Sequence, residues 1–402
     1  MDLWLFGANL ARIAKSTNLK CGAQMLLIDS FRDKDKIFGI LKKIRAKSKH
    51  LQEKLNIMEV CGGHTHSIMR YGLNKLLPNN IEFIHGPGCP VCVMPKNRIN
   101  EAYDIAMQKG VILLTLGDMI RIPSSKGSLA EARSKGADVR FLYSPLQALQ
   151  IAKDNPHKKV VFFAIGFETT TPMTAALIDR ALQENIKNLY FHINHILVIP
   201  PLKILLDSKP CNIHALIAPS HVSVISGAKI YEELLPYQIP IVVGGFEPLD
   251  ILDSVLRIVC QKNNGKSKLD IEYSRVVTRD GNLTAQKLID KYLELREAFE
   301  WRGLGNIADS ALKLKSEFSA LDAEIAFADI IDKREVADNK NCICGEILRG
   351  LKKPLDCKIF AKVCTPQNPI GSCMVSSEGA CAAYYKYQEF LDKLWRQKCK
   401  KF

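Results

Sequence analysis

A cysteine, two glycines and two histidines stand within six residues in Cys61-Gly-Gly-His64-Thr-His66. The apolar run before Cys61 predicts a strand, and the Gly-Gly pair predicts a turn at which a ligand can approach the backbone closely. A helix N-terminus and neighbouring imidazoles lower a thiol pKa, so we expect Cys61 to be available as a thiolate, either as a metal ligand or as a nucleophile. The alternative is a buried structural cysteine beside helix-capping residues.

A second pair of thiols lies in His85-Gly-Pro-Gly-Cys89-Pro-Val-Cys92. This spacing suits either a reversible disulfide or half of a tetrahedral metal site. Because the chain contains no second Cys-x-x-Cys, a four-thiolate zinc ribbon is disfavoured, although Cys61, His64 and this pair could converge on zinc or iron. The pair follows a strand-and-helix unit, which favours a redox-active dithiol over structural zinc.

Six further cysteines lie at uneven spacing near the C-terminal end of a chain that contains thirteen. Zinc modules usually bring their ligands as close pairs, whereas four thiolates from separated turns suit an iron–sulfur cluster. The spacing alone does not select which four would bind, and a disulfide framework is the alternative. The six are Cys342, Cys344, Cys357, Cys364, Cys373 and Cys381.

The composition is that of an ordinary globular protein, with 47% hydrophobic and 24% charged residues among 402. No long uninterrupted apolar run is present, so we expect no membrane span. The formal net charge is +14, but the lysines gather in Lys34–Lys54 and Lys393–Lys401 without interleaved aromatic residues, so we expect no nucleic-acid partner. The usual nucleotide-binding and serine-hydrolase motifs are missing. Without a signal-peptide pattern, we expect a cytoplasmic protein whose thiols serve metal or redox chemistry.

Eight short β-branched runs alternate with helix-like stretches up to about residue 250, which predicts parallel α/β layers. We assign them to two sheets of four strands, with a boundary in the polar stretch 153–159. Two similar strand ends, Gly166-Phe-Glu168 and Gly245-Phe-Glu247, place Glu168 and Glu247 at the sheet edge where ligands bind. The predicted strands are Ile57–Val60, Ile81–Ile84, Val111–Leu116, Val139–Tyr143, Val160–Ile165, Leu189–Ile193, His214–Ala218 and Ile239–Val243.

After about residue 265 the sequence predicts charged helices over Leu283–Trp301 and Phe318–Lys333, followed by the cysteine-rich end. The hydrophobic core of so small a region gives only marginal stability, and a metal cluster would supply the stability that apolar burial does not. The packing partner of a predicted helix, Ile37–Leu55, stays open between this region and the first sheet. We predict four regions: an N-terminal extension and helix over 1–55, α/β domains over 56–155 and 156–265, and a helical iron–sulfur domain over 266–402.

Five motifs, in this order, resemble the HypD family of NiFe-hydrogenase maturation proteins from about residue 28 to residue 390. They are Met58–His66, Gly86–Cys92, Gly166–Thr170, Gly245–Asp250 and Ser376–Cys381. The resemblance implies two parallel-sheet α/β domains facing each other across a cleft, plus a small, mainly helical 4Fe-4S domain. Met1–Met25 matches nothing in the family pattern, and Ser220 stands where the family usually has glycine.

The resemblance also selects the cluster ligands. The family spacing, with fourteen, six and sixteen residues between successive cysteines, falls on Cys342, Cys357, Cys364 and Cys381. Cys344 and Cys373 are then non-ligands. Cys89 and Cys92 would form a dithiol that communicates electrons between the 4Fe-4S cluster and an iron site.

The implied function is that of a scaffold and redox centre for assembly of the Fe(CN)2CO group. Cys61 would hold the iron together with a thiolate from a HypC-type small chaperone. A HypE-type protein would supply the cyanide, and the hydrogenase large subunit would be served indirectly. Such a factor need not turn over as a conventional enzyme.

The remaining candidates surround that iron. His64 is expected to carry protons or to support a ligand, and His66, Glu168 and Glu247 are expected to lie in the outer shell or to contact the partner. The alternative function is a stand-alone iron–sulfur thiol/disulfide oxidoreductase, and a zinc-stabilised binding module is a third hypothesis.

Overall fold

The computed structural model describes residues 30–332 and 336–388, so Met1–Met25 and the basic tail Lys393–Lys401 lie outside the described residues. The strands are β1 (Leu55–Glu59), β2 (Ile81–His85), β3 (Val111–Leu116), β4 (Asp138–Leu142), β5 (Lys159–Gly166), β6 (Leu189–His195), β7 (Ala215–Pro219), β8 (Ile241–Gly244), β9 (Leu269–Ile271), β10 (Leu293–Trp301) and β11 (Gly305–Leu314). Two parallel sheets run in the orders β2-β1-β7-β8-β9 and β4-β3-β5-β6. All eight predicted strands are thereby confirmed.

The two sheets do not use consecutive strands, so the predicted division at 153–159 into two sets of four is wrong. β1 pairs with β7, with Ile57 beside Ala215, while β3 to β6 form the other sheet. The stretch 153–159 therefore connects two strands of one sheet. Because β1, β7, β3, β5 and β6 are largely buried on both faces, their sequences carry no alternation from which their neighbours could be identified.

Helices connect the strands and cover the sheets. They are α1 (Lys34–Ser48), α2 (Gly62–Tyr71), α3 (Leu73–Leu76), α4 (Pro90–Val93), α5 (Lys96–Ala106), α6 (Leu129–Ser134), α7 (Gln147–Asp154), α8 (Thr171–Gln183), α9 (Ile199–Asp207), α10 (Ser220–Ser226), α11 (Pro248–Asn263), α12 (Leu283–Tyr292), α13 (Ala323–Ala326) and α14 (Cys344–Leu348). α1 packs on α11, and its Leu41 and Ile44 join the core of the five-stranded sheet. This contact settles the open position of the N-terminal helix.

The region after residue 265 differs most from the prediction. The predicted helix Leu283–Trp301 ends at Tyr292, and the rest of it is β10, which forms an antiparallel hairpin with β11. Apolar residues at alternate positions on both sides of Glu297, among them the buried Phe299 and Trp301, are the strand pattern that the charged composition obscured. Beyond the hairpin the described residues form mostly short helical turns, so a mainly helical iron–sulfur domain is not confirmed.

The cysteine-rich region shares its core with both sheets. Cys344 and Met374 belong to the same contiguous apolar cluster as Met58 of the first sheet and Leu113 of the second. The region is therefore packed into the body of the protein, and the cleft expected between two domains stays a prediction. Across the described ranges, no helix has the length and apolar character needed to cross a membrane.

Candidate metal and thiol site

The Cys61 turn, residues 60–64, is built where two predicted motifs meet. Cys61 follows β1 and is the N-cap residue of α2, with an extended backbone (φ −158°, ψ 130°). Because β1 and β2 are neighbours, the loop after β2 lies against this turn, and the Gly62 amide donates to the Gly88 carbonyl at 3.3 Å. A Cβ on Gly88 would lie 2.3 Å from the Cys61 nitrogen, so this close approach requires glycine.

The surroundings of the Cys61 thiol differ from the prediction. Burial and the carboxylates of Glu378 and Glu59 raise its pKa well above the usual value, and backbone hydrogen bonds from Gly63 and His64 lower it by less. The expectation that the helix N-terminus and histidines make a free thiolate is therefore wrong. The same two carboxylates stabilise a cation beside the sulfur, and a bound metal displaces the thiol proton. The turn favours a metal ligand over a free nucleophile.

His64 is a fully buried, neutral imidazole. Its Nε2 lies 3.2 Å from the Gly244 carbonyl oxygen and 3.0 Å from that of Gly245, so Nε2–H donates. Nδ1 has no hydrogen-bond partner among the described residues. Burial lowers the pKa of His64 from its ordinary 6.5 to about 4, and the ring stacks on Phe246 with centroids 4.5 Å apart. A neutral ring with one bare nitrogen suits the predicted role in proton transfer or ligand support.

Two predicted outer residues make contacts that do not involve Cys61. The Nε2 atom of His66 lies 3.1 Å from the Tyr387 hydroxyl, and the two rings meet edge to face. Glu247 is the N-cap residue of α11 and accepts hydrogen bonds from the Arg32 guanidinium at 2.7 and 2.8 Å. Both His66 and Glu247 are partly exposed, so a partner can reach them.

Glu168 differs from Glu247, although both follow Gly-Phe. Its side chain is buried, and Oε1 accepts from the Val198 amide at 3.0 Å. Oε2 has no partner within the described ranges. Burial raises the pKa of Glu168 to about 7, so at neutral pH the carboxyl can donate as well as accept a proton. Of the two predicted carboxylates, Glu168 has the properties of an acid–base group.

The Cys89–Cys92 dithiol lies at the short helix α4. Cys89 is the N-cap residue, and the Cys92 amide donates to its sulfur at 3.3 Å. Both side chains are buried. Burial, followed by hydrogen bonds with the thiols of Cys373 and Cys89, raises the pKa of Cys92. The two thiols are thus in mutual contact, as a reversible disulfide requires, but both are sequestered from solvent.

A row of thiols continues from this pair into the C-terminal region. The Cys373 thiol interacts with that of Cys92, its sulfur lies 3.5 Å from that of Cys344, and the Cys344 thiol interacts in turn with that of Cys342. The Ser372 hydroxyl donates to the Cys92 carbonyl at 2.7 Å and joins the two segments. We define the thiol row as Cys89, Cys92, Cys373, Cys344 and Cys342. Sequence reasoning missed this role of Cys344 and Cys373, because separation along the chain carries no sign of it.

The four cysteines of the family spacing line one cavity together with Cys344, Cys373 and apolar side chains. In the described parts of the chain, no three histidine, cysteine, aspartate or glutamate side chains are arranged to hold a single metal ion. A cubane cluster takes one thiolate on each iron and spreads its ligands more widely, so a wall of separated thiols fits 4Fe-4S better than zinc. The four are Cys342, Cys357, Cys364 and Cys381.

Two carboxylates beside Cys61 were also missed. Glu59 is 1% exposed, and its Oε2 accepts from the Cys61 amide at 3.2 Å. The Cβ of Glu378 lies 2.2 Å from where a Cβ on Gly62 would be. A signal existed for Glu59, since an acidic residue at the end of an apolar strand is unusual in a core. Glu378 gives no local signal, because its proximity arises from tertiary packing.

The fold and the site together define a thiol-rich α/β protein with a cysteine turn at a sheet edge and a row of thiols leading to a cysteine-lined cavity. A family model named HypD, the hydrogenase formation hypA family, matches residues 35–388. The hydrogenase maturation factor HypD of Cupriavidus necator is 47% identical over 376 residues, which is 92% of this chain and 98% of the relative. The HypD proteins of Azotobacter vinelandii (47% over 370 residues, 90% and 97% covered) and Escherichia coli (44% over 370 residues, 91% and 99%) are also similar. This chain belongs to the HypD family of hydrogenase maturation factors, which confirms the resemblance of its motifs.

Proposed function

We propose that this hydrogenase maturation factor is the scaffold and redox centre on which the Fe(CN)2CO group is assembled. The iron is cargo, held by Cys61 together with a thiolate of a HypC-type small chaperone. A HypE-type protein supplies the cyanide, and the hydrogenase large subunit is served indirectly. The observation that carries the proposal is the Cys61 turn, in which a partly buried thiol lies beside two carboxylates at the carboxyl edge of a sheet.

The chemistry of the turn supports iron as the cargo. Soft thiolate ligands suit iron that also binds cyanide, and a buried site keeps that iron from water. Burial, Glu378 and Glu59 oppose a free thiolate, whereas the two carboxylates stabilise a cation, so an arriving metal ion would displace the Cys61 proton. With a pKa of about 4, His64 does not retain a proton at neutral pH, so its Nδ1, unpartnered within the described residues, is a hydrogen-bond acceptor, which supports the role of ligand support over that of proton carrier.

The thiol row supports the redox part of the proposal. Oxidation of Cys89 and Cys92 to a disulfide releases two electrons and two protons, and the neighbouring Cys373 and Cys344 thiols can exchange with that disulfide. A resident 4Fe-4S cluster would supply single-electron chemistry when bound. Its ligands would be Cys342, Cys357, Cys364 and Cys381, the cysteines of the cavity wall.

We also propose a cytoplasmic location and an acidic partner surface. All eleven cysteines in the described residues are free thiols, the state that a reducing compartment maintains. The formal net charge of +14 favours association with an acidic protein. Binding of the HypC-type chaperone should therefore weaken as salt rises, and salt-independent binding would contradict this surface assignment.

The scaffold proposal is tested by infrared spectroscopy in the cyanide and carbonyl stretching region. The protein is purified anaerobically after co-expression with HypC-type, HypE-type and cyanide-supplying proteins. The wild type should show cyanide and carbonyl bands, and Cys61→Ala should lose them. Cys211→Ala, which removes an exposed thiol, is the matched control and should keep them. Unchanged bands in Cys61→Ala would remove Cys61 from the iron site.

A stand-alone thiol/disulfide oxidoreductase is the second candidate, and the thiol row is the observation that favours it. Its contacts lie within one chain and need no partner. Under this alternative, the wild type would show no cyanide or carbonyl bands. It would keep its iron–sulfur content and reduce small disulfides, and Cys92→Ser would abolish that activity. This combination would replace the scaffold proposal.

A further inference from the structure

A buried hydrogen-bond chain joins the Cys61 turn to the C-terminal region by a route separate from the thiol row. Glu59 accepts from the Cys61 amide through Oε2, and its Oε1 lies 2.7 Å from Nδ1 of His85. Nε2 of His85 lies 3.2 Å from the hydroxyl of Tyr384. The exposed fractions of Glu59, His85 and Tyr384 are 1%, 2% and 5%, so water competes little for these bonds.

The two ends of this chain belong to the two parts of the candidate site. Glu59 is the last residue of β1 and leads directly into the Cys61 turn. Tyr384 lies on the helical residues 380–388, about one turn after Cys381 of the cavity wall. The Thr65 hydroxyl of α2 also donates to Oε1 of Glu59. The carboxylate therefore ties strand, turn and helix to a side chain from the cysteine-rich region.

The same C-terminal segment also covers the turn directly. Glu378 packs so closely on Gly62 that a Cβ there would lie 2.2 Å from the Glu378 Cβ. Further along, the Tyr387 hydroxyl contacts Nε2 of His66 on α2. One C-terminal segment thus makes these contacts and the Tyr384–His85 hydrogen bond, all of them near the start of α2. The position of the Cys61 turn is therefore set partly by residues more than three hundred positions away in the sequence.

We propose that Glu59, His85 and Tyr384 are positioning residues that hold the Cys61 turn in the orientation that receives iron, and that they tie this orientation to the segment carrying Cys381. The inference rests on the proposed function, because iron is taken as the cargo. The physical reason is that a buried carboxylate keeps its geometry only while fixed donors occupy its lone pairs. Removing the Tyr384 hydroxyl leaves Nε2 of His85 without its partner and weakens the hold of His85 on Glu59, the carboxylate that accepts from the Cys61 amide.

The test compares Tyr384→Phe with Tyr385→Phe in the cluster-loaded, full-length protein. Each variant loses one hydroxyl. Tyr385, however, is 38% exposed, and its hydroxyl is not part of the hydrogen-bond chain of Glu59, His85 and Tyr384. The first measurement is the alkylation rate of each cysteine with iodoacetamide, mapped by peptide mass spectrometry. The second is the infrared spectrum after co-expression with the partner proteins. Tyr384→Phe should raise the Cys61 rate about fivefold and shift the cyanide bands, as expected for one lost hydrogen bond.

Cys89 and the iron content serve as controls within each sample, and both should match the wild type. Equal Cys61 rates in Tyr384→Phe and Tyr385→Phe would overturn the positioning role. A similar rise at Cys61 and Cys89 would overturn it too, because the hydroxyl would then support the fold as a whole. If the wild type shows no cyanide bands, the proposed function fails, and the alkylation rates still decide whether the chain positions Cys61.

Discussion

The Cys61 turn and the cysteine cavity hold their thiols by different means. The turn lies between β1 and α2 and against the backbone of Gly88, so regular secondary structure places its thiol. The cavity wall comes from α14, the 3-10 turn Ser372–Met374, the start of the helical residues 380–388 and intervening loops. A thiol that regular secondary structure holds in place suits a metal ion that arrives and leaves. A wall made mostly of loops and short turns suits a resident cluster that completes the packing of the cavity.

This comparison predicts that loss of the cluster has the largest effect on stability. Cys364→Ala should lower iron and labile sulfide content and reduce the free energy of unfolding by about 4 kcal/mol, because the cavity wall lacks long elements of its own. Urea unfolding with parallel iron assays measures both. The control is Cys260→Ala, a partly buried thiol on α11 away from the cavity. Equal stability with and without the cluster would remove the distinction between the two regions.

Lowering the pH should reduce the free energy of unfolding through a buried histidine at the end of a strand. Burial lowers the pKa of His195, at the end of β6, from 6.5 to about 4. Between pH 6.5 and 4 the unfolded chain binds a proton at His195 that the folded protein does not bind. The free energy of unfolding therefore has its full value above pH 6.5 and falls by about 3 kcal/mol as the pH falls towards 4. Unfolding free energies across this range should fall less steeply in His195→Gln. His157→Gln, an exposed control, should follow the wild type, and an identical slope in all three would contradict the assignment.

A side chain added next to the Cys61 turn should impair iron assembly at the turn without affecting the cysteine cavity. Gly88→Ala places a Cβ 2.3 Å from the Cys61 nitrogen, so it should cost about 2 kcal/mol of stability and abolish the cyanide bands. The iron–sulfur content should remain, since the cavity wall is elsewhere. Gly117→Ala meets nothing within 4 Å and is the matched control. Simultaneous loss of bands and cluster would show that the two regions are not independent.

The smallest effect on stability is expected at the partly exposed ion pair between Arg32 and Glu247. The Arg32–Glu247 pair is partly exposed, so Glu247→Gln should change the free energy of unfolding by only about 0.5 kcal/mol, and less at high salt. Chemical denaturation at two ionic strengths measures this difference. The cyanide bands should be unchanged while the partner proteins are in excess. A loss well above 1 kcal/mol would place Glu247 among the supports of the site.

Local patterns predicted the elements but not always their partners. The eight strands were found because short β-branched runs end at glycine or proline, which is a property of neighbouring residues. The sheet order was missed, since β1 finds β7 through packing of faces that are buried on both sides. β10 was taken for helix because its charged residues hide an alternation that a bulge between Arg296 and Ala298 also interrupts.

The candidate site shows the same limit. Residue types and spacing predicted Cys61, His64 and the Cys89–Cys92 pair as site residues, and the family pattern predicted the cavity cysteines. The raised pKa of Cys61 was missed, because a helix N-terminus is visible in the local sequence, whereas burial of the thiol and the approach of Glu378 are not. Electrostatic surroundings sum over every charge that folding brings near, whereas a motif contains only those nearby in sequence.

The sequence by itself determined which thiols and imidazoles are present, which of them end strands or begin helices, and the family to which the chain belongs. Tertiary structure alone decided that Cys373 touches Cys344, that Tyr384 reaches His85, and that two carboxylates surround Cys61. The physical reason is range. Backbone propensity and capping act over a few residues, while packing and charge act between surfaces that only the completed fold brings together.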